Sequence, residues 1–262
     1  MKKKRRLLVV FGTILLIFPP VSARPDPLNS MSLNGTAGLY TVPSGYIGWN
    51  KRAQVGLDLG TSYNFFSGNP IAKIGLSLFN WVEINGAVDF QPRTHDTSNT
   101  DGILGLKLQL PTEKTGVALG GNVQFLTYQD NYTTAGQLYT AVTYRGEFFT
   151  WPAETSLTLG YTFRKGNNDN IDFGMGFDLL LVPDVFKDFV HWVVDFSNFS
   201  YSDQALGTNA WYRGCLNTGI RVDISAIPAL NNFKFIFDLT LLDILDGERT
   251  IGMGFSFGIP LK

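Results

Sequence analysis

The residues able to do chemistry are few. His95 and His191 are the two imidazoles and Cys215 the one thiol in 262 residues. That is too small a set for a transition-metal site of soft or imidazole ligands, and one Cys makes no internal disulfide. His191 shares the polar parity of a predicted strand with Asp195 and Ser197, the residue types of a hydrolase triad. Strict alternation places three polar residues on one face in any case, so no enzyme is expected. Asp169 and Asp172, in and beside a polar stretch, are carboxylates of the kind that bind Ca²⁺ weakly. The larger polar set is different in kind. Asp58, Lys73, Glu83, Asp89, Lys107, Arg164, Asp172, Asp178, Asp195, Arg221, Asp223, Lys234 and Asp238 all fall on the polar parity of alternating segments. Both signs occur. Cross-lumen ion pairs bracing a narrow or partly filled channel account for them better than a substrate path does.

The elements that must carry these charges have a period of two. Ala53, Val55, Leu57 and Leu59 alternate with Gln54, Gly56, Asp58 and Gly60. Leu104, Leu106, Leu108 and Leu110 interleave with Gly105, Lys107 and Gln109, and Phe233, Phe235, Phe237, Leu239 and Leu241 oppose Lys234, Asp238 and Thr240. Twelve such segments follow one another from residue 53 to 258. Most have about 9–11 residues, the length a tilted strand needs to cross a bilayer. Connections alternate too. Residues 66–70, 91–102, 129–136, 165–170, 200–213 and 242–248 are mostly polar, while the intervening ones include a tight Asn80-Trp81 turn and stretches at 111–116, 182–188 and 225–232. Outer-membrane barrels pair long external loops with short periplasmic turns, so the first set faces outside. The stretch 146–154 is longer than that rule expects, and 184–193 has the pattern of a short amphipathic helix.

Composition agrees. Charged residues are 16% of the chain, where about 25% is usual, and aromatics are 14%. The chain opens on MKKKRR, then an apolar run over 7–18, Pro19-Pro20 and Val21-Ser22-Ala23, which predicts a secretory signal cut near Ala23. No Cys stands at that cut, so a lipid anchor is not expected. Without the signal's five cations, 16 cations face 22 anions, a net charge of −6. An acidic exported chain is no nucleic-acid binder.

A soluble all-β protein would need the apolar face as an inner core. Two features oppose it. A closed ring of twelve strands is too wide for its own side chains to fill, since about eight is the size that packs shut. The polar face is also rich in Gly, which weakens a solvated strand but inside a barrel leaves room for larger neighbours. Aromatics gather near segment ends (Phe79, Trp81, Phe90, Phe163, Trp192), where interfacial girdles place their Tyr and Trp. The expected fold is a transmembrane, antiparallel, up-and-down β-barrel of about twelve strands over 51–262, in the outer membrane of a diderm bacterium.

Two segments carry resemblances. Thr250, Gly252, Phe255 and Phe257 match the C-terminal signal by which barrel assembly machinery reads outer-membrane proteins, although this chain runs on to Lys262. Residues 24–50 lack a full alternating strand, and Pro43 argues against a central strand position. Gly38, Leu39, Pro43 and Ser44, with Gly56-Leu57-Asp58, the run 78–83 and the run 101–107, resemble the opening of YjbH-like outer-membrane proteins over roughly residues 30–125. The resemblance implies a barrel associated with exopolysaccharide production or export, with no catalytic residues; no cofactor is expected. On the residues alone, 24–50 is equally a lumen plug, a periplasmic lead-in or a flexible leader. Partners expected are outer-membrane lipid and either a polysaccharide or small solutes. The functional alternatives are a structural or export-associated barrel and a passive pore for small solutes.

Overall fold

The structure is a computed structural model, and it describes residues 29–49, 53–65, 68–90, 100–112, 115–128, 131–164, 171–186, 188–198, 214–227, 230, 232–245 and 249–261. The predicted signal, His95 and Asp169 lie outside the described residues. Twelve strands follow in chain order: β1 (Val55–Asn64), β2 (Pro70–Leu78), β3 (Val82–Phe90), β4 (Thr100–Leu110), β5 (Thr115–Tyr128), β6 (Asn131–Phe148), β7 (Trp151–Arg164), β8 (Asp172–Leu180), β9 (Val190–Ser197), β10 (Cys215–Asp223), β11 (Lys234–Leu242) and β12 (Thr250–Leu261). Each pairs antiparallel with the next, and β12 closes on β1 from Val55↔Leu261 to Asn64↔Gly252. The result is a closed up-and-down barrel. Closure leaves no open edge, which is the condition for a sheet to cross lipid.

Side chains sort by parity. Along β11, Lys234, Ile236, Asp238, Thr240 and Leu242 are buried inside, and the alternate residues Phe237, Leu239 and Leu241 are exposed outside. The same outer face carries Ile74, Leu104, Leu106, Leu119, Leu138, Leu157 and Leu159, all exposed. An apolar belt of this kind around a closed sheet is a lipid-facing surface, since soluble domains rarely leave contiguous apolar patches beyond a few hundred Å² in water. Near the strand ends Phe79, Trp81, Phe90 and Phe163 also face outward.

Three boundaries differ from the sequence-based ones. Residues 131–136 are strand, where a loop over 129–136 was expected: β5, β6 and β7 run for 14, 18 and 14 residues, and β5 pairs with β6 out to Tyr128↔Asn131. Their Thr-rich composition reads as polar loop but suits a ladder standing above the bilayer. At the other rim 146–154 is a hairpin paired to Phe148↔Trp151, with Phe149 at φ 56 in the two-residue turn. The tight turn after β2 centres on Phe79 and Asn80, one residue earlier than expected, both at positive φ (53 and 63). Trp81 donates its N–H to the Leu78 carbonyl across it. Two left-handed residues are what a type I′ hairpin turn requires, because its twist matches that of the strands. Between β8 and β9, among the described residues, helix covers one turn at Pro183–Phe186.

Replacing Leu106, exposed on the outer face of β4, by Lys should cost about 2–4 kcal/mol if that face meets the bilayer midplane. Denaturant titration of refolding into lipid vesicles reads this directly. A change below about 0.5 kcal/mol would place Leu106 in water or at an interface.

Candidate functional site: the filled lumen

The lumen is not empty. Residues 29–49 fold inside it, and all but Leu33 are buried. Apart from two isolated bridges, Met31↔Ala37 and Gly38↔Pro43, the segment is irregular. It turns at Ser32 to Thr36, meets Glu83 near the short-turn end of β3 at Ala37, turns again so that Thr41 and Val42 lie against Ser197 and Gly174 near the long-loop ends of β9 and β8, and leaves beside the start of β1 at Trp49. Gly35 makes the turn at φ 79, with its α-carbon against the Gly86 backbone, a left-handed approach that a Cβ would block.

Six backbone bonds run within the segment, among them Ser32 N–H to Thr36 O and Leu39 N–H to Val42 O, and the wall supplies further partners through side chains. Glu83 of β3 is the busiest. Its carboxylate accepts from Thr36 Oγ1 (2.6 Å), the Ala37 N–H (3.0 Å) and the Gly48 N–H (3.0 Å), and pairs with Lys107 Nζ at 3.2 Å. Lys107 donates onward to the carbonyls of Ala37 (3.1 Å) and Tyr46 (2.9 Å). Across the lumen Asp195 accepts from the N–H groups of Thr41 (2.7 Å) and Val42 (3.4 Å) and from Asn217 (2.8 Å). Asp58 accepts from Trp49 Nε1 and Lys234 Nζ, both at 2.9 Å, while Lys234 also reaches the Gly48 carbonyl at 3.2 Å. Lys73 donates to the Met31 carbonyl and to Ser62 Oγ, both at 3.0 Å.

The other sequence-selected charges take wall-to-wall roles. Arg221 bridges Asp238 (2.7 Å) and Asp178 (3.1 Å), and its guanidinium lies 5.7 Å from the Tyr40 ring centre. Asp172 accepts from Thr162 and Gln137 and is buried, in place of the loop Ca²⁺ ligand considered for it. Asp89 is fully buried inside, opposite Asp101 on β4. Asp223, opposite the inward Ile236 at the end of β10, accepts from the Ser225 N–H (2.9 Å) and caps the short 3-10 turn Ile224–Ala226 at the rim. The side chain of Arg164 lies outside the described residues.

Uncharged residues complete the cradle, and parity alone could have flagged them. Thr143 accepts from the Gly45 N–H (2.8 Å), Gln109 accepts from the Ile47 N–H (3.0 Å) and Thr158 donates to the Pro43 carbonyl (3.0 Å). Arg145 pairs with Glu154 at 2.6 Å and stacks 3.8 Å over the Tyr46 ring. The inward glycines are a mould for the same segment. A methyl group at Gly56 would overlap the Trp49 ring, one at Gly176 would sit 2.6 Å from Leu39, and one at Gly174 would sit 2.9 Å from Val42.

His191 does not meet Asp195 or Ser197. Four residues along a strand span about 13 Å, so shared parity is not contact. His191 Nδ1 lies 2.6 Å from Asp178, and Ser197 Oγ lies 2.7 Å from Thr41 Oγ1. Among the described residues no three His, Cys, Asp or Glu side chains converge as metal ligands would.

No family model and no curated protein matches this sequence. Among solved structures the chain is similar to a KdgM porin, at 7% identity and TM-score 0.48 over 79% of this chain and 99% of that one. It is also similar to the outer membrane protein Omp33 of Acinetobacter baumannii, at 11% identity and TM-score 0.44 over 80% of this chain and 98% of that one. At these levels the geometry of the chain itself carries the reading.

Removing either partner of the Glu83–Lys107 pair should destabilise the barrel by about 3–5 kcal/mol, because it strands a buried charge. Glu83→Gln and Lys107→Met, singly and together, test this by denaturant titration in detergent with heat-modifiable gel migration as readout. The double variant should cost less than the two singles combined; strict additivity would show the two charges act independently.

Proposed function

We propose that this chain is an outer-membrane barrel held shut by its own residues 29–49, and that it passes small solutes only when that segment is displaced. The observation that carries the reading is the burial of the segment across the lumen, with its backbone bonded to the wall at Glu83, Lys107, Thr143, Asp195 and Lys234. The apolar outer belt supports the bilayer. The predicted signal peptide supports export, and the β12 sequence supports recognition by barrel assembly machinery. This reading includes no catalysis. A link to exopolysaccharide rests on the N-terminal resemblance to YjbH-like proteins alone.

Planar-bilayer recording of the refolded chain tests it. The native protein should be silent at low voltage and show discrete openings only as voltage rises. A Glu83→Ala, Asp195→Ala variant, stripped of two anchors, should open at low voltage. Steady conductance of the native protein from the outset would favour the passive pore; a folded variant as silent as its parent would favour a purely structural barrel.

A further inference from the structure

Residues 29–49 contain no Asp, Glu, Lys, Arg or His, so no ionic charge leaves the lumen when the segment does. After the predicted signal the chain has 22 anions and 16 cations, and Arg24 and Asp26 cancel ahead of the segment. The acidic surplus therefore belongs to the barrel and its connections.

Much of the wall charge cancels locally. Lys107 holds Glu83, Lys234 holds Asp58 and Arg145 holds Glu154. Arg221 is shared between Asp178 and Asp238. Two inward carboxylates differ. Asp172 accepts from Thr162 and Gln137, and Asp195 accepts from Thr41 and Val42 of the segment and from Asn217 of the wall. Among the described residues their partners are all neutral. Asp172 opens β8 and Asp195 stands near the end of β9, both towards the long-loop rim. Lys73 is the counterpart of opposite sign, an inward ammonium bonded to the neutral oxygens of Met31 and Ser62.

Displacing the segment replaces its peptide dipoles by water and leaves the ionic pairs where they are. Paired charges of both signs cancel at a distance, and the surplus carboxylates do not. At about 0.1 M salt the screening length is about 10 Å, so charges on the wall act well into the bore. A wall potential of about one kT already favours cations over anions about sevenfold.

We infer that the open barrel selects by charge and passes small cations in preference to anions. Asp195 is the carboxylate that the segment covers in the closed state and bares in the open one. The inference rests on the self-closed pore proposed above and names the class of solute it admits.

Reversal potentials in a KCl gradient near about 0.1 M, recorded in planar bilayers, test it. Two routes open the barrel without altering wall charge. One is raised voltage on the native chain; the other is Gly56→Val with Gly116→Val, whose added side chains meet the Trp49 and Tyr46 rings. Heat-modifiable migration checks that each variant folds. The open channel should show a K⁺ to Cl⁻ permeability ratio above about 3. Asp195→Asn should open at lower voltage yet reduce that ratio by at least about 1.5-fold, and Lys73→Met should raise it. A ratio of unity or less overturns the cation preference and keeps the self-closed pore. A ratio above unity that neither substitution moves assigns the preference to the loops and overturns the role of Asp195. Silence of the native chain at every voltage, shared by the folded Gly56→Val, Gly116→Val variant, overturns both readings.

Discussion

Peptide N–H and C=O groups enclosed away from water must find partners, and residues 29–49 find about half of theirs on the barrel wall. That constraint organises the interior. A regular helix would bond to itself and could lie against any smooth wall. This irregular run needs acceptors for Ala37, Thr41, Gly45, Ile47 and Gly48 and donors for Ala37, Tyr46 and Gly48 at particular heights, and Glu83, Asp195, Thr143, Gln109, Lys107 and Lys234 stand at those heights. The wall charges are therefore of both signs because a peptide backbone presents both kinds of dipole end. A selective ion path would favour one sign; a peptide cradle needs both.

Barrel size creates the need for the filler. Twelve strands enclose more width than wall side chains can close, so the interior either holds water or is filled by protein. Here the inward glycines thin the wall where Leu39, Val42 and Trp49 press against it, and large residues come from the segment instead. Small clusters result in place of one continuous core: Ile71, Ala87 and Ile103 with Leu33 at one side, and Val193 with Leu39, Tyr40 and Val42 at another. Between them the interior is polar and hydrogen-bonded. Such a lumen is ordered by specific partners more than by area, so exchanging any one partner is felt.

The two rims are unlike. The β5–β6 hairpin stands tall on the long-loop side, and the β6–β7 hairpin reaches furthest at the other, which makes β6 twice the length of β2 or β3. Those extensions escaped the sequence reading because a strand beyond the bilayer no longer alternates lipid with lumen. Water lies on both faces there, and the two-residue hydrophobic period fades while the hydrogen-bond ladder continues.

Within the bilayer the period is legible. Every strand of the barrel overlaps one of the alternating segments, and inward charges such as Asp58, Glu83, Lys107 and Asp238 follow from parity, since a two-residue period assigns each side chain to a face as soon as one face is known to be apolar. Partnership was not legible. His191 shares parity with Asp195 yet meets Asp178, and Glu83 meets Lys107 on the neighbouring strand while binding Gly48 from the segment. The placement of residues 29–49 inside the ring was equally open on sequence grounds, because an irregular run carries no period to read. Local alternation is a property of neighbouring residues, and so it is written in the chain. Which wall residue bonds which plug residue depends on register, tilt and closure, quantities that exist only once all twelve strands have met.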